Sequence, residues 1–257
     1  MTIALLGYGR FGQAFAGLLQ QAGYRVAVFD PRADVPPALR RSSLAEAVRG
    51  ATWVVLAAPV PALEGILREL RPLLDSSQTV FDVGSVKQQP CRLMDELLGP
   101  AIPHAGTHPL FGPLSLSRDE RPLRTVLCAS PQHPDAARRT RALLASIGCE
   151  VIERDPAAHD RAMAETHALA FFIAKALVDM GIGDDLSLAP PSFLGLANML
   201  AAVRGDAGHL FAAIQRENPY AAEARASLIA HLDVIHRRLS DVEGGALSIP
   251  DLTEPPS

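Results

Sequence analysis

The chain has 257 residues, of which 48% are hydrophobic and 20% charged, and this composition excludes fibrous and disordered proteins. The formal net charge is -4 with acids and bases interspersed, so the chain lacks the basic surface that nucleic acid or an anionic membrane requires. Three scattered cysteines are too few for a disulfide framework or a thiolate metal site, and no apolar run reaches the roughly 20 residues that span a bilayer. We therefore expect a cytoplasmic globular protein that acts on a small molecule, without a metal and without a nucleic-acid or membrane partner.

The first part of the chain alternates short apolar runs with amphipathic stretches, which predicts a parallel sheet covered by helices on both faces. Near-continuous apolar character is typical of strands that are buried on both sides. Predicted strands cover residues 3–6, 25–29, 53–57, 79–83, 104–107, 125–129 and 150–153.

After Pro156 the strand pattern ends, and Ala, Leu and Met recur at helical spacing over 159–180, 191–203, 208–215 and 219–239. We therefore expect a sheet domain over 1–155 and an all-helical domain over 156–243. The remaining residues, 244–257, are rich in Pro and acids and are predicted to form a mobile tail.

A glycine motif follows the first predicted strand and opens the first predicted helix. Gly7, Gly9 and Gly12 form G-x-G-x-x-G, and in this context the pattern is typical of a turn that binds a dinucleotide. The helix N-terminus then offers free N–H groups to a pyrophosphate, and Arg10 and Phe11 belong to the same predicted contact. The fold class predicted is α/β, with an N-terminal Rossmann-type doubly wound sheet.

Two further segments point to the cofactor. Asp30 ends the second predicted strand, where a carboxylate binds ribose hydroxyls and repels a 2′-phosphate, and this favours NAD over NADP. The neighbouring Arg32 leaves NADP open, since an arginine there pairs with such a phosphate. Ala58 and Pro59 follow the third strand and are expected to line the cofactor's path, with a plain rigid loop as the alternative.

Ser85 and Lys87 follow the fourth predicted strand, at the edge where open α/β sheets bind ligands. Ser85 is either a contact to the substrate or the N-cap of the next helix, and the two roles are compatible. Lys87 either neutralises a substrate carboxylate or is solvated in a first helical turn, where its charge is unfavourable.

His108 is the predicted general base. It lies in the segment Gly106 to Pro113, a stiff loop expected after the fifth strand, and a histidine accepts a hydroxyl proton near neutral pH. His104 is expected at the start of that strand, away from the site. His167 lies on a long apolar helix, either as a satisfied core histidine or facing a cleft between the two domains.

The segments that contain Gly7, Ser85, His108 and His167 occur in an order and spacing that resemble the prephenate and arogenate dehydrogenase family. The most specific element is Asp82-x-x-Ser85-Val86-Lys87 followed by His108-Pro109-x-x-Gly112. The resemblance implies a Rossmann domain, a helical domain that forms a homodimer, and NAD(P)-dependent oxidative decarboxylation of a cyclohexadienol. It also implies that His108 accepts the hydroxyl proton, that Ser85 contacts that hydroxyl or orients the imidazole, and that His167 contacts the substrate.

The family's arginine for a substrate carboxylate is displaced in this chain. Alignment places Ala201 or Ala202 at the expected position, and Arg204 is the nearest substitute. Prephenate, arogenate and 4-amino-4-deoxyprephenate therefore remain open as substrates. A different Rossmann oxidoreductase acting on 3-hydroxyacids or imines, and a non-catalytic nucleotide sensor, are the alternatives from other classes.

Overall fold

The sheet is the frame that positions the candidate site. The computed structural model describes residues 1–205 and 208–240, so the predicted tail at 244–257 lies outside the described residues. The strands of the described part are β1 (Thr2–Leu6), β2 (Arg25–Phe29), β3 (Trp53–Leu56), β4 (Thr79–Asp82), β5 (His104–Pro109), β6 (Leu123–Ala129) and β7 (Cys149–Glu153).

Helices cover both faces of the sheet and make up the second half of the described chain. They are α1 (Arg10–Gln21), α2 (Leu44–Val48), α3 (Val60–Leu70), α4 (Gln88–Leu97), α5 (Pro113–Ser117), α6 (Pro134–Ser146), α7 (Pro156–Met163), α8 (Leu169–Asp179), α9 (Pro191–Arg204), α10 (His209–Ala212) and α11 (Ala221–Ser240). Two wider π-type segments, Ala164–Ala168 and Ala213–Glu217, follow α7 and α10. No helix of the described residues is long and apolar enough to cross a membrane.

The strand order is β2-β1-β3-β4-β5-β6-β7. β2 lies on one side of β1, and the following strands are added on the other side. This is the doubly wound arrangement that the sequence predicts, and the α/β fold class is confirmed. The expectation of a wholly parallel sheet is wrong, because β6 pairs with β5 antiparallel and with β7 parallel, so β6 and β7 run opposite to the other five strands. Residues 110–122 hold only the short α5, which contacts α1, so the chain turns back without the crossover helix that parallel pairing needs.

Alternate residues of β1 enter two different hydrophobic clusters. Ile3 and Leu5 pack on one face with Phe15 of α1, whereas Ala4 and Leu6 pack on the other with Leu63 of α3. Successive side chains of a strand point to opposite faces, so a strand that is apolar throughout needs helices on both sides.

The second half begins with a well-formed helix start. Asp155 accepts hydrogen bonds from the backbone N–H groups of Ala157 and Ala158, and Pro156 occupies the first helical position of α7. A separate cluster that includes Phe171, Leu200 and Ile214 forms the interior of these helices. The division into two domains at residue 155 stays a prediction that agrees with this change of architecture.

Two glycines of the motif are required by close backbone contacts. Gly7 has φ of +108°, and a Cβ on it would lie 2.3 Å from the carbonyl oxygen of Ala57. A Cβ on Gly12 would lie 2.4 Å from the carbonyl oxygen of Gly7. These contacts press the N-terminal turn of α1 against the ends of β1 and β3.

We predict that Gly12→Ala lowers the free energy of unfolding by about 1–3 kcal/mol, since the added methyl group meets backbone that has little room to move. Gly17→Ala is the matched control, because it lies in the same helix with nothing within 4 Å of the added methyl. That variant should gain about 1 kcal/mol from helix propensity. Urea unfolding of both proteins measures the difference, and equal effects would contradict this account.

Candidate active site

A buried ion pair joins the ends of β4 and β5. The ammonium of Lys87 pairs with the carboxylate of Asp82, and both side chains are inaccessible to solvent. The same ammonium donates to the carbonyl oxygen of Thr107 at 2.6 Å, and Asp82 also accepts from the backbone N–H of Gly84 at 2.9 Å. Loss of one partner of such a pair costs about 3–5 kcal/mol.

The buried position of Lys87 does not fit the expectation that it contacts the substrate. Its side chain is 0% exposed, and its charge is already compensated by Asp82. The alternative of solvation in a helical turn is also wrong. Lys87 instead fixes the segment that holds Ser85 against the strand that holds His108.

His108 lies within β5 rather than in the loop after it, and is 5% exposed. Its Nδ1 lies 2.8 Å from Nε2 of His159 on α7, and Nδ1 of His159 lies 2.7 Å from Oδ1 of Asp160. A carboxylate only accepts hydrogen bonds, so His159 donates from Nδ1 and accepts at Nε2. His108 then donates from Nδ1, which leaves its Nε2 without hydrogen and able to take a proton.

Asp160 also holds the N-terminus of α4. Its two carboxylate oxygens accept from the backbone N–H groups of Lys87 at 2.7 Å and Gln88 at 2.9 Å. The N-cap interpretation of Ser85 is therefore wrong, because a carboxylate from α7 provides the cap. Asn218 donates to the backbone carbonyl of Asp160 at 2.7 Å, which ties α7 to the end of the chain's second π segment.

Ser85 lies half-buried between β4 and α4, at the same sheet edge as His108. Among the described residues no hydrogen bond to its hydroxyl is formed. Its role as a catalytic contact stays a prediction.

His167 completes the cluster from the π segment after α7. Its ring is nearly parallel to that of His108, with 6.2 Å between the ring centroids, and the ring of Phe171 meets it edge-on at 4.8 Å. Of the two interpretations that the sequence left open, the structure supports the one in which His167 faces the site. A direct contact with substrate stays a prediction.

Burial controls the protonation of this cluster. Burial lowers the pKa of His108 well below its ordinary value, and the charges of His159, Lys87 and His167 lower it further. Burial, with a smaller contribution from His159, also lowers the pKa of His167 to about 4. Both rings are therefore neutral near pH 7, and His108 has the form that a general base needs.

The glycine turn is open to an anion. Gly9 is the N-cap of α1, no side chain caps this helix end, and no acidic residue lies in its first turn. A Cβ at Gly9 would meet nothing within 4 Å, so a phosphate has room to approach the backbone. The residues of this turn therefore fit the pyrophosphate of a dinucleotide.

Asp30 is held in place by backbone N–H groups. Tyr8 donates to one carboxylate oxygen at 2.7 Å, and Arg32 and Ala33 donate to the other at 2.8 and 3.0 Å. Burial raises the pKa of Asp30, but these donors and the charge of Arg32 outweigh burial and keep it below the ordinary value. The carboxylate lies beside the glycine turn, as a ribose-binding residue should.

The other predicted cofactor contacts border the same turn. The ring of Phe11 packs 6.1 Å from that of Phe111, which links the turn to the segment after β5. Ala58 and Pro59 follow β3, and Pro59 is the N-cap residue of α3. A Cβ built on Gly205, the residue after α9, would lie 3.7 Å from the guanidinium of Arg10. The C-terminus of α9 therefore lies close to the glycine turn.

Arg204 is occupied by contacts outside the histidine cluster. Its guanidinium pairs with Asp184 and donates to the carbonyl oxygens of Gly183 at 3.1 Å and Ile182 at 3.2 Å. These contacts fix the segment before α9 and do not support a role in substrate binding.

His104 begins β5 and bonds Asp95 at 2.8 Å, away from His108, as expected. No group of described residues could hold a metal ion.

Sequence reasoning missed His159, Asp160 and Asn218. The adjacent pair His159-Asp160 lies only three residues after a Pro at the start of a helix, which places both polar side chains in its first turns. That both are buried follows from contacts with β5 and α4, which no local pattern reveals.

A doubly wound sheet with an open glycine turn, beside a buried histidine that can take a proton, is the arrangement of a dinucleotide-binding Rossmann protein. A family profile described as the nucleotide-binding domain of prephenate dehydrogenase matches residues 38–137. A probable arogenate/prephenate dehydrogenase of Methanocaldococcus jannaschii is 24% identical over 247 residues, covering 89% of this chain and 54% of the relative. The T-protein of Haemophilus influenzae is 30% identical over 198 residues, covering 76% of this chain and 46% of the relative.

The profile match and these relatives show that the chain is similar to the prephenate/arogenate dehydrogenase family. It spans about half the length of the two relatives just described.

Solved structures agree on the fold. Prephenate dehydrogenase of Aquifex aeolicus, in complex with hydroxyphenyl propionate and NAD+, has a TM-score of 0.70 at 21% identity and covers 95% of this chain and 93% of its own. A putative prephenate dehydrogenase of Corynebacterium glutamicum has a TM-score of 0.78 at 19% identity, covering 98% and 86%.

We predict that acid destabilises the protein through its neutral buried histidines. The unfolded chain binds a proton on His167 below about pH 6.5, whereas the folded chain does so only near pH 4, so stability is complete above pH 6.5 and falls as pH decreases. Between pH 7 and pH 5 this residue should account for about 2 kcal/mol of lost stability.

Urea unfolding of His167→Gln at the two pH values measures this contribution, and the variant should lose about 2 kcal/mol less than the parent protein. His231→Gln is the matched control, because it removes an exposed histidine of α11 and leaves the buried cluster intact. An identical loss in the parent and in His167→Gln would contradict the assignment.

Proposed function

We propose that the protein catalyses oxidative decarboxylation of prephenate to 4-hydroxyphenylpyruvate, or of arogenate to tyrosine, with NAD(P) as the oxidant. The observation that carries the proposal is the chain His108–His159–Asp160, which leaves one unprotonated nitrogen in a buried site at the carboxyl edge of a nucleotide-binding sheet. The profile match and the names of the relatives agree with this activity.

In this mechanism Nε2 of His108 accepts the proton of the C4 hydroxyl group. The imidazolium that forms keeps its Nδ1–H bond to His159, and the carboxylate of Asp160 compensates the charge through His159. Bound NAD(P) supplies the hydride acceptor, and loss of CO₂ makes the ring aromatic. The protein's work is to orient the hydroxyl group and to remove its proton.

We propose NAD as the preferred cofactor. The carboxylate of Asp30 is fixed by three backbone donors beside the glycine turn, so it is preorganised to accept from ribose hydroxyls and repels a 2′-phosphate. The side chain of Arg32 is exposed next to it and keeps NADP as the alternative.

The first prediction from this proposal is that the protein reduces NAD when it is mixed with prephenate or arogenate, as measured by absorbance at 340 nm. His108→Asn should lower kcat by a factor of about 100 or more, the usual contribution of a general base, while NAD affinity is retained. His133→Gln is the control, since His133 is the N-cap residue of α6 and its ring packs against His104 at the start of β5, away from His108.

The substrate that responds identifies the reaction, and NADP assayed in parallel tests the cofactor. Unchanged turnover in His108→Asn would remove this residue from the mechanism. No reduction with either substrate and either cofactor would exclude the proposed activity and favour the 4-amino analogue.

We further propose that the protein works as a cytoplasmic homodimer, with α11 in the interface. Leu228, Leu232, Ile235 and Leu239 recur at spacings of four, three and four residues, so they form one stripe along the helix. Leu232, Ile235 and Leu239 are 54%, 49% and 54% exposed, and an exposed stripe of this kind is typical of a self-associating helix.

We predict that Ile235→Glu converts the dimer to a monomer in size-exclusion chromatography with light scattering, since a charge in an apolar interface is poorly solvated. Ala230→Glu is the control, because position 230 is exposed and lies roughly 200° around the helix from Leu228. A parent protein that is monomeric at micromolar concentration, or a variant that remains dimeric, would contradict this interface.

A further inference from the structure

The helix that carries both His159 and His167 changes its winding between them. On a regular α-helix, residues eight positions apart differ by about 80° in direction, so the two rings would diverge. The π segment Ala164–Ala168 adds about one residue to a turn. The side chain of His167 therefore points as a residue seven positions after His159 would on a regular α-helix, about 20° from the direction of His159. The π segment therefore lets both rings face His108.

One side chain from another helix bonds the end of this segment. Gln215 lies in the second π segment, is buried, and donates from Nε2 to the carbonyl oxygen of Ala168 at 2.7 Å. Ala168 directly follows His167 and is the last residue of the π segment, before regular α-helix begins at Leu169. The hydrogen bond thus holds the π segment at the position next to the histidine.

Arg225 of α11 fixes the orientation of the Gln215 amide. Its Nη1 donates to Oε1 of Gln215 at 2.7 Å and to the backbone oxygen of the same residue at 3.0 Å. Because arginine only donates, Oε1 must face Arg225 and Nε2 must face Ala168. The guanidinium also lies 5.9 Å from the ring of Phe172 on α8, so one arginine joins three elements around the segment.

We propose that Gln215 and Arg225 are positioning residues that hold His167 against the general base His108. The inference rests on the proposed function for its consequence in catalysis, but the geometry that it describes is independent of any substrate. Neither residue touches the reacting atoms, and both act through the backbone of the π segment.

The groups around His167 determine how a loosened segment would be detected. The titratable groups that face it are His108 from β5 and His159 from α7, and Arg225 is the charged group that α11 brings to the segment. Burial dominates the low pKa of His167, so movement of the ring toward water should raise that pKa.

The test is titration of the histidine ring protons by NMR, with the His167 signal identified by its loss in His167→Gln. In Gln215→Met, which keeps the length but has no donor, the His167 ring should titrate about one pH unit or more above its value in the parent protein. Arg225→Met should give the same shift, and Arg225→Lys, which retains a donor, should restore most of the parent behaviour. Lys175→Gln is the matched control, since it removes an exposed cation from α8 without touching the π segment.

Kinetics provide the second readout. Gln215→Met should lower kcat about tenfold or more with little change in the KM for NAD, because a displaced ring disturbs the reacting geometry and leaves the glycine turn intact. If the parent protein turns over neither substrate, the proposed function fails while the NMR titration still tests the positioning role. An unchanged His167 titration in both Gln215→Met and Arg225→Met, with native circular dichroism, would overturn the inference.

Discussion

The carboxylate of Asp160 is the group on which the rest of the site depends. It accepts the N–H groups that begin α4 and the ring N–H of His159, and its backbone carbonyl accepts from Asn218. A buried carboxylate is stable only when its oxygens are bonded, so these contacts require one another. The arrangement of Lys87 at the start of α4, the tautomer of His108 and the docking of the second half on the sheet follow from this one group.

Burial of the histidine cluster affects both its ability to take a proton and the stability of the protein in acid. Burial keeps His108 and His167 neutral near pH 7, so His108 has a free ring nitrogen that can take a proton there. The same burial makes the folded state bind fewer protons than the unfolded state in acid. The ammonium of Lys87 also lowers the pKa of His108. The positive charge of this ammonium is itself compensated by Asp82.

Patterns along the chain predicted what local sequence controls. Strand positions follow from apolar runs, and the glycine turn follows from Gly7 and Gly12, whose missing side chains are required by backbone within 2.4 Å. The reversed direction of β6 and β7 cannot be predicted locally, because it depends on the path of residues 110–122 rather than on the strands themselves. Lys87 was assigned to the substrate because nothing local shows that Asp82, five residues earlier, buries its charge. The roles of His159 and Asp160 are also hidden in the sequence, because their partners lie far along the chain, on β5 and at the start of α4.

The candidate site therefore divides into a hydrogen-bonded histidine cluster and a separate region around α9. The chain His108–His159–Asp160 joins β5 to α7, and Asp160 extends it to the start of α4. The arginine that the resemblance implies would lie on α9, where Ala201 or Ala202 stands at the expected position and Arg204 is occupied by Asp184. Among the described residues, the hydrogen bonds of Arg204 go to the segment before α9 and not to the histidine cluster. The region around α9 can therefore change without disturbing the chain His108–His159–Asp160.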